Sequence, residues 1–200
     1  MNTLNNKYVE NFNVIENQIP NFKREYLRHK NTILYKGNSL EPKLFDKEFI
    51  DLIITSPPYN VGIDYNSNDD ELNYEDYLNF SFKWMKNCYD WSNSQARFCL
   101  NIPLDKNKGG HRPVGSDLTR IAMEAGWKYK TTIIWNEGNI SRRTAWGSWK
   151  SASAPVVIAP VEPILVLYND EWKKTTGSKI TDITADAFNN CTNGVWTFNG

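Results

Sequence analysis

Short, continuous apolar runs alternate with longer segments of helical period, and this alternation limits the fold more than any other feature of the chain. Residues 51–55 (DLIIT) have the pattern of a strand buried on both faces, and residues 163–168 (PILVLY) also predict a buried strand. Residues 74–91 place aromatic, Met and Cys residues at near-helical spacing, which predicts a helix. Strands that alternate with helices predict an α/β fold with a mostly parallel sheet.

The remaining elements are predicted from shorter patterns. Further strands are expected over 32–35 (TILY), 97–102 (RFCLNI) and 129–135, and further helices over 116–125 and 180–193. Ser116 or Asp117 is expected to cap the first of these helices, and Gly126 stands where a helix end favours glycine. Residues 1–30 predict a helical or loosely ordered arm, and residues 138–160 have no clear period.

The net charge of zero, from 23 basic and 23 acidic residues, argues against a uniformly basic nucleic-acid binder and a polybasic membrane-surface protein. The charges are segregated, however. Residues 41–76 hold ten acidic and two basic residues, whereas residues 104–150 hold nine basic and four acidic ones. The basic segment is therefore a candidate nucleic-acid-binding face. A hydrophobic fraction of 40% with 14% aromatic residues excludes a disordered chain.

The three cysteines, Cys88, Cys99 and Cys191, are widely spaced and lack a CxxC or Cys/His ligand pattern. They predict neither a metal site nor a disulfide framework, and they favour a reducing, cytoplasmic setting. The first twelve residues lack the apolar core of a signal peptide, and the most apolar run, 154–168, is too short and too interrupted to span a bilayer. No membrane partner is expected.

The segment most informative about function is 55–60 (TSPPYN), which directly follows the apolar strand 51–55. Pro57 and Pro58 end this strand because they lack the N–H groups that a ladder needs. In parallel α/β sheets, ligands bind beyond the carboxyl ends of the strands, which is where this segment lies. A proline-rich turn without chemical function is the alternative interpretation.

TSPPYN resembles the catalytic motif of the β-class amino-group DNA methyltransferases. The resemblance covers most of residues 32–198 and includes YKGNSLE, RFCLNIP, IIWNEGNISRRTAWGSW, APVEPILVLY and VWTF. It implies a Rossmann-like fold and transfer of a methyl group from S-adenosylmethionine (SAM) to a base of double-stranded DNA. It also implies a catalytic α/β region with an N-terminal arm at 1–137, a target-recognition insertion at 138–160 and the end of the catalytic region at 161–200.

The resemblance gives the four central motif residues, Ser56, Pro57, Pro58 and Tyr59, catalytic roles. An exocyclic amino nitrogen is a poor nucleophile because its lone pair is delocalised into the ring. The Ser56 hydroxyl and the Pro57 carbonyl are candidate acceptors that orient the amino group, and the two prolines stiffen the backbone. Tyr59 offers a face on which a flipped-out base stacks. In this family, serine at the first motif position favours cytosine N4 over adenine N6 as the target. The resemblance also implies that the enzyme belongs to a restriction-modification system.

Two further groups of residues take roles from the resemblance. Asn38 and Ser39, in the turn after residues 32–35, are expected near the adenosine part of SAM, with a plain turn asparagine as the equal alternative for Asn38. Candidate DNA contacts lie in the basic segment: Lys108, His111, Arg112, Arg142, Arg143, Trp146 and Lys150. Ordinary surface charges, and packing of Trp146 onto the domain, are the competing interpretations.

One family feature, the SAM-cradling F-x-G-x-G loop, does not occur in these 200 residues. In the family sheet order 3-2-1-4-5-7-6, residues 32–35 match strand 3 and residues 51–55 match strand 4, so strands 1 and 2 are missing. We therefore expect a second polypeptide or a second copy to complete the sheet, or a longer protein of which this chain is a part. A non-catalytic DNA-recognition subunit and an RNA or protein amino-group methyltransferase are the alternative functions.

Overall fold

The structure is a computed structural model that describes residues 25–29, 32–60, 72–105, 112–138, 152–153, 160–175 and 182–198. The strands are β1 (Glu25–His29), β2 (Thr32–Lys36), β3 (Ile50–Thr55), β4 (Ser92–Asn101), β5 (Lys128–Asn136), β6 (Val161–Tyr168) and β7 (Val195–Thr197). The helices are α1 (Tyr74–Trp91), α2 (Val114–Glu124) and α3 (Ala185–Cys191).

Five strands form one sheet in the order β3-β4-β6-β5-β7. The β3–β4 and β5–β7 pairs are parallel, and β6 is antiparallel to both of its neighbours. Four strands therefore run in one direction, and the prediction of a mostly parallel α/β sheet is confirmed. The order β3-β4-β6-β5 is also the 4-5-7-6 half of the family order, which leaves the place beside β3 unfilled by any described strand.

Helices α1 and α2 cover one face of this sheet. The bounds of α1 are those predicted, because apolar residues recur at helical spacing and the Asn73 side chain caps its start by accepting from the Asp76 N–H at 3.0 Å. Phe98 of β4 and Leu167 of β6 are fully buried against the helices. Trp127 is buried in this core, and its indole N–H donates to the Met85 carbonyl at 3.1 Å.

The opposite face of the sheet is open in the described structure. The prediction that residues 51–55 are buried on both faces is wrong there, since Leu52 is 52% exposed and Ile54 is 73% exposed. Ile53 lies in register with Phe98 and packs on the core, whereas Ile54 lies in register with Cys99 on the other face. Helices α1 and α2 cover the Phe98 side, and none of the described helices buries Ile54 on the other side.

The N-terminal strands differ from the prediction. Residues 32–35 were expected in the parallel sheet, but β2 pairs antiparallel with β1 in a separate two-stranded sheet, with Tyr26 opposite Tyr35. Residues 25–29 are therefore a strand rather than part of a helical or loosely ordered arm. Only residues 30–31 separate the two strands, and so short a connection favours local antiparallel pairing over insertion into a parallel sheet.

The second helix begins earlier than predicted and without the expected cap. Pro113 is the N-cap residue of α2 and makes no side-chain capping bond. Ser116 and Asp117 both lie inside the first turn of α2, where neither can be the N-cap residue, and Asp117 accepts a hydrogen bond from the Tyr74 hydroxyl at 2.6 Å. Gly126 ends the helix as predicted, with a φ of 118°. The helix expected over 180–193 is the shorter α3, capped by the Thr184 side chain.

Candidate active site

The carboxyl end of β3 meets polar residues from two other strands. Segment 56–60 leaves the sheet directly after Thr55, and Asn101 is the last residue of the neighbouring parallel strand β4. Because β6 runs antiparallel to β4, its first residues lie at this same edge, with Ile164 in register with Asn101. Glu162 lies two residues before Ile164 and therefore on the same face of the sheet. Three distant parts of the chain thus converge at one edge.

Four side chains form a connected hydrogen-bond network at this edge. The Tyr59 hydroxyl lies 2.8 Å from Ser56 Oγ and donates to Glu162 Oε2 at 3.0 Å. The Asn101 amide nitrogen donates to the Tyr59 hydroxyl oxygen at 3.0 Å and to Glu162 Oε2 at 2.5 Å. Ser56 is exposed while the other three are partly buried, so the network runs from solvent into the sheet edge.

The network holds Tyr59 in its neutral form. Burial raises the pKa of Tyr59 to about 12, and the negative charge of Glu162 adds to that increase, whereas the bonds from Ser56 and Asn101 oppose it. The phenol therefore keeps its proton at any physiological pH. Among the described residues, Asn101 Oδ1 is buried and has no hydrogen-bond partner, so the site retains one buried acceptor.

The backbone of the motif is fixed from the side of the core. The Pro58 carbonyl accepts from the Tyr77 hydroxyl of α1 at 3.1 Å. Asn60 is buried, with a φ of 54°, and its side-chain amide donates to the Leu72 carbonyl at 2.9 Å. Asparagine tolerates this left-handed conformation better than most residues. The segment is thus anchored at Pro58 and Asn60, while Ser56 stays exposed.

The predicted SAM-binding residues lie in the turn after β2. Asn38 Oδ1 accepts from the Leu40 N–H at 3.0 Å, a bond that agrees with the alternative interpretation of Asn38 as a plain turn asparagine. The Ser39 carbonyl accepts from the Asn87 side chain at 2.9 Å, while Ser39 itself is exposed. The roles of Asn38 and Ser39 in SAM binding stay predictions.

Of the predicted DNA contacts, Arg112 lies within the described residues. Its exposed guanidinium stands 5.1 Å from the centre of the Tyr74 ring, and Tyr74 lies 6.4 Å, ring to ring, from Tyr77. Since the Tyr77 hydroxyl donates to the Pro58 carbonyl, a chain of contacts through two aromatic rings joins Arg112 to segment 56–60. Burial, together with the bond to Asp117, raises the pKa of Tyr74 above its usual value. The other predicted contacts lie outside the described residues: Lys108, His111, Arg142, Arg143, Trp146 and Lys150.

Sequence reasoning missed Asn101 and Glu162. A weak signal exists for both, because Asn101 directly follows the apolar run 98–100 and Glu162 directly precedes the apolar run 163–168. The antiparallel direction of β6, which brings Glu162 to Tyr59, carries no such local signal. In the part of the chain that the structure describes, no group of three or more His, Cys, Asp or Glu residues is arranged to hold a metal ion. No helix among those residues is both long and apolar enough to cross a membrane.

Residues 50–199 match the family model described as DNA methylase, for N6 and N4 methyltransferases. The chain belongs to this DNA methylase family. It is 60% identical over 153 residues to the Type II methyltransferase M.MjaVI of Methanocaldococcus jannaschii, covering 76% of this chain and 78% of the relative. It is also 53% identical over 47 residues to M.HpaI of Haemophilus parainfluenzae, covering 24% of this chain and 15% of the relative.

Solved structures agree on the fold of this methylase family member. TTHA0409 of Thermus thermophilus, solved in complex with S-adenosyl-L-methionine, aligns with a TM-score of 0.57 at 18% identity, covering 80% of this chain and 64% of that one. The cytosine-N4-specific PvuII DNA methyltransferase aligns with a TM-score of 0.59 at 20% identity, covering 82% and 56%. The chain therefore spans less than two thirds of the length of both solved structures.

Proposed function

We propose that this chain carries the catalytic and target-recognition part of a site-specific DNA methyltransferase that uses SAM and belongs to a restriction-modification system. The observation that carries the proposal is the Ser56–Tyr59 pair, which lies at the carboxyl edge of β3 within an S-P-P-Y motif and is held by Asn101 and Glu162. Family membership and the Type II name of M.MjaVI support this activity.

The site residues would act on an exocyclic amino group in the following way. Ser56 Oγ and the Pro57 carbonyl accept hydrogen bonds from the amino group, which favours a tetrahedral nitrogen with an available lone pair. Tyr59 stacks on the flipped-out base. SAM supplies an electrophilic methyl group. The nitrogen lone pair forms the new nitrogen–carbon bond as the sulfur–carbon bond breaks, the sulfur keeps that bonding pair, and the nitrogen loses one proton to solvent.

Cytosine N4 is the favoured target over adenine N6. Ser56 occupies the first motif position, where serine is the choice typical of N4-cytosine enzymes of this group. The cytosine-N4 specificity in the name of the PvuII enzyme, whose fold is similar, agrees with this choice. Arg112, with the other predicted DNA contacts of the basic segment, would contact the phosphates of double-stranded DNA.

The open edge of β3 supports the proposal that another polypeptide or a second copy completes the sheet. In the described structure β3 pairs with β4 alone, and Leu52 and Ile54 remain exposed beside that edge. The 200 residues also contain no F-x-G-x-G loop for SAM. A chain that sediments as a stable monomer and binds SAM with micromolar affinity would contradict this proposal.

The activity is tested by incubating the chain, alone and with candidate partners, with methyl-labelled SAM and unmethylated genomic DNA. Digestion of the DNA to nucleosides should yield labelled N4-methylcytosine, and Tyr59→Ala should abolish the label. Labelled N6-methyladenine would correct the target base, and preferential labelling of RNA would overturn the DNA proposal. Specific DNA binding without any methyl transfer would favour a non-catalytic recognition subunit.

A further inference from the structure

The donors and acceptors around Tyr59 allow one arrangement of protons when Glu162 is ionised. A carboxylate accepts hydrogen bonds only, an asparagine NH₂ donates only, and a tyrosine hydroxyl has a single proton. Tyr59 gives that proton to Glu162 at 3.0 Å and accepts from Asn101 at 3.0 Å. The 2.8 Å contact between Tyr59 and Ser56 must therefore be a bond in which Ser56 donates.

This arrangement determines what Ser56 offers to a substrate. With its proton directed at Tyr59, the Ser56 hydroxyl has both lone pairs free to accept from the exposed side. An exocyclic amino group is a donor, so it meets an acceptor already turned toward it. If Tyr59 lacked a stronger acceptor, its proton would be free to turn to Ser56. The proton of Ser56 would then be free to face the substrate, where it would repel the amino hydrogens.

We infer that Glu162 is a positioning residue for methyl transfer: it takes the proton of Tyr59 and so obliges Ser56 to present its lone pairs to the target amino group. Asn101 supports the arrangement by donating to both Tyr59 and Glu162. Glu162 acts through Tyr59 and does not touch the reacting atoms. The inference rests on the proposed amino-methyltransferase function and assigns a role to a residue 103 positions from Tyr59.

A double-mutant cycle tests this role. Glu162→Ala should lower kcat about tenfold, the effect of losing one oriented hydrogen bond, with less than a twofold change in KM for DNA. Tyr59→Phe keeps the ring for stacking but removes the hydroxyl, and it should lower kcat by a similar factor. The double variant should be no slower than Tyr59→Phe, because Glu162 then has nothing through which to act.

Two further variants serve as controls. Glu162→Gln keeps an acceptor oxygen and should recover kcat to within about threefold of the unsubstituted protein; it also keeps the test usable if Glu162→Ala does not fold. Glu171→Ala removes an exposed carboxylate just beyond the far end of β6, which accepts from the Gln95 side chain, and it should leave kcat unchanged. An unchanged kcat in Glu162→Ala, or the full tenfold loss repeated in the Tyr59→Phe background, would overturn the inference.

A readout without turnover separates this inference from the function on which it rests. The ionisation of Tyr59 is followed by phenolate absorbance as the difference between each protein and its Tyr59→Phe counterpart. Removing the Glu162 charge should lower the pH at which Tyr59 ionises. If it does not, Glu162 does not control Tyr59 and the inference fails. If it does while the unsubstituted protein transfers no methyl group to any base, the proposed function fails and the Glu162–Tyr59 coupling stands.

Discussion

At the scale of single residues, the motif combines a strained backbone position with an exposed hydroxyl. Asn60 has a φ of 54° and is 2% exposed, and its amide donates to Leu72 at 2.9 Å. The sequence predicted where the motif lies, since two prolines after a buried run end a strand. It did not predict that Asn60 is a buried anchor, because a left-handed conformation and a bond across twelve residues leave no mark on hydrophobic periodicity.

Asn60→Ala should lower the free energy of unfolding by about 2 kcal/mol, since alanine loses the buried hydrogen bond and also disfavours positive φ. Asn60→Gly loses the same bond but accepts the backbone conformation, so its loss should be smaller by about 1 kcal/mol. Urea unfolding measures both values. Equal losses in the two variants would show that the backbone conformation of Asn60 carries no cost.

Arg112→Ala should weaken binding to duplex DNA, because its guanidinium is exposed and lies against the Tyr74 ring, which neighbours Tyr77 and the proposed catalytic segment. If Arg112 contacts one phosphate, the slope of log affinity against log salt concentration should fall by about 1. Arg120→Ala is the matched control, since Arg120 lies on α2 and pairs with Glu124 at 2.6 Å. A slope that is the same in Arg112→Ala as in the unsubstituted protein would place Arg112 outside the DNA interface.

At the scale of elements, local patterns predicted what each segment forms better than which neighbours it takes. The bounds of α1 could be predicted because a continuous apolar stripe and an asparagine cap both lie within the segment. The partner of β2 could not, since its three apolar and aromatic residues fit a hairpin and a parallel sheet equally well. Glu162 was missed for the same reason, as its role depends on the direction of β6.

Gly126 shows how the end of α2 depends on one residue. The Gly126 N–H binds the Met123 carbonyl at 3.1 Å, and the Trp127 N–H binds the Ala122 carbonyl at 3.1 Å, which together form a Schellman motif. A Cβ atom at this position would lie 3.0 Å from the Tyr89 ring and would have to accept a φ of 118°.

Gly126→Ala should therefore lower the free energy of unfolding by about 2 kcal/mol, and thermal or urea unfolding measures the change. Gly194→Ala is the control, because a Cβ atom there would meet nothing within 4 Å. Its stability should stay close to that of the unsubstituted protein. If both alanine variants unfold at the same temperature or urea concentration, neither the contact with Tyr89 nor the positive φ makes glycine necessary at position 126.

At the scale of the whole molecule, the described structure is a sheet with helices on one side. Burial of what remains exposed of Leu52 and Ile54 would contribute about 1 to 2 kcal/mol each. Their exposure thus represents stabilisation that a covering element would supply. The unpaired edge of β3 was predicted from the sequence, because the missing F-x-G-x-G loop implied that strands 1 and 2 are missing too. The open face was not predicted, since it follows only from the register that places Ile54 beside Cys99.

The reactivities of the three cysteine thiols can show whether the open face of the sheet is covered. Burial raises the pKa of Cys88 to about 12, so a thiol reagent should modify it only when the protein unfolds. Exposed Cys191 should react first. Cys99 lies on the open face, and burial raises its pKa while nearby Arg97 opposes the increase, so it should react at an intermediate rate. In a Cys191→Ser variant, a partner that covers the open face should slow Cys99, and an unchanged rate would contradict such covering.

The hydrogen bonds that β6 makes with distant parts of the chain have a consequence for biosynthesis. Tyr59 and Glu162 are 103 residues apart, and Asn101 and Glu162 are 61 apart, so no locally folded fragment contains the network. At ordinary translation rates, Glu162 is added about 5 to 20 seconds after Tyr59. A nascent chain therefore carries the whole S-P-P-Y motif before it has the carboxylate that arranges its protons. The complete proton arrangement at Ser56 arises only after most of the chain has been synthesised and β6 has joined the sheet.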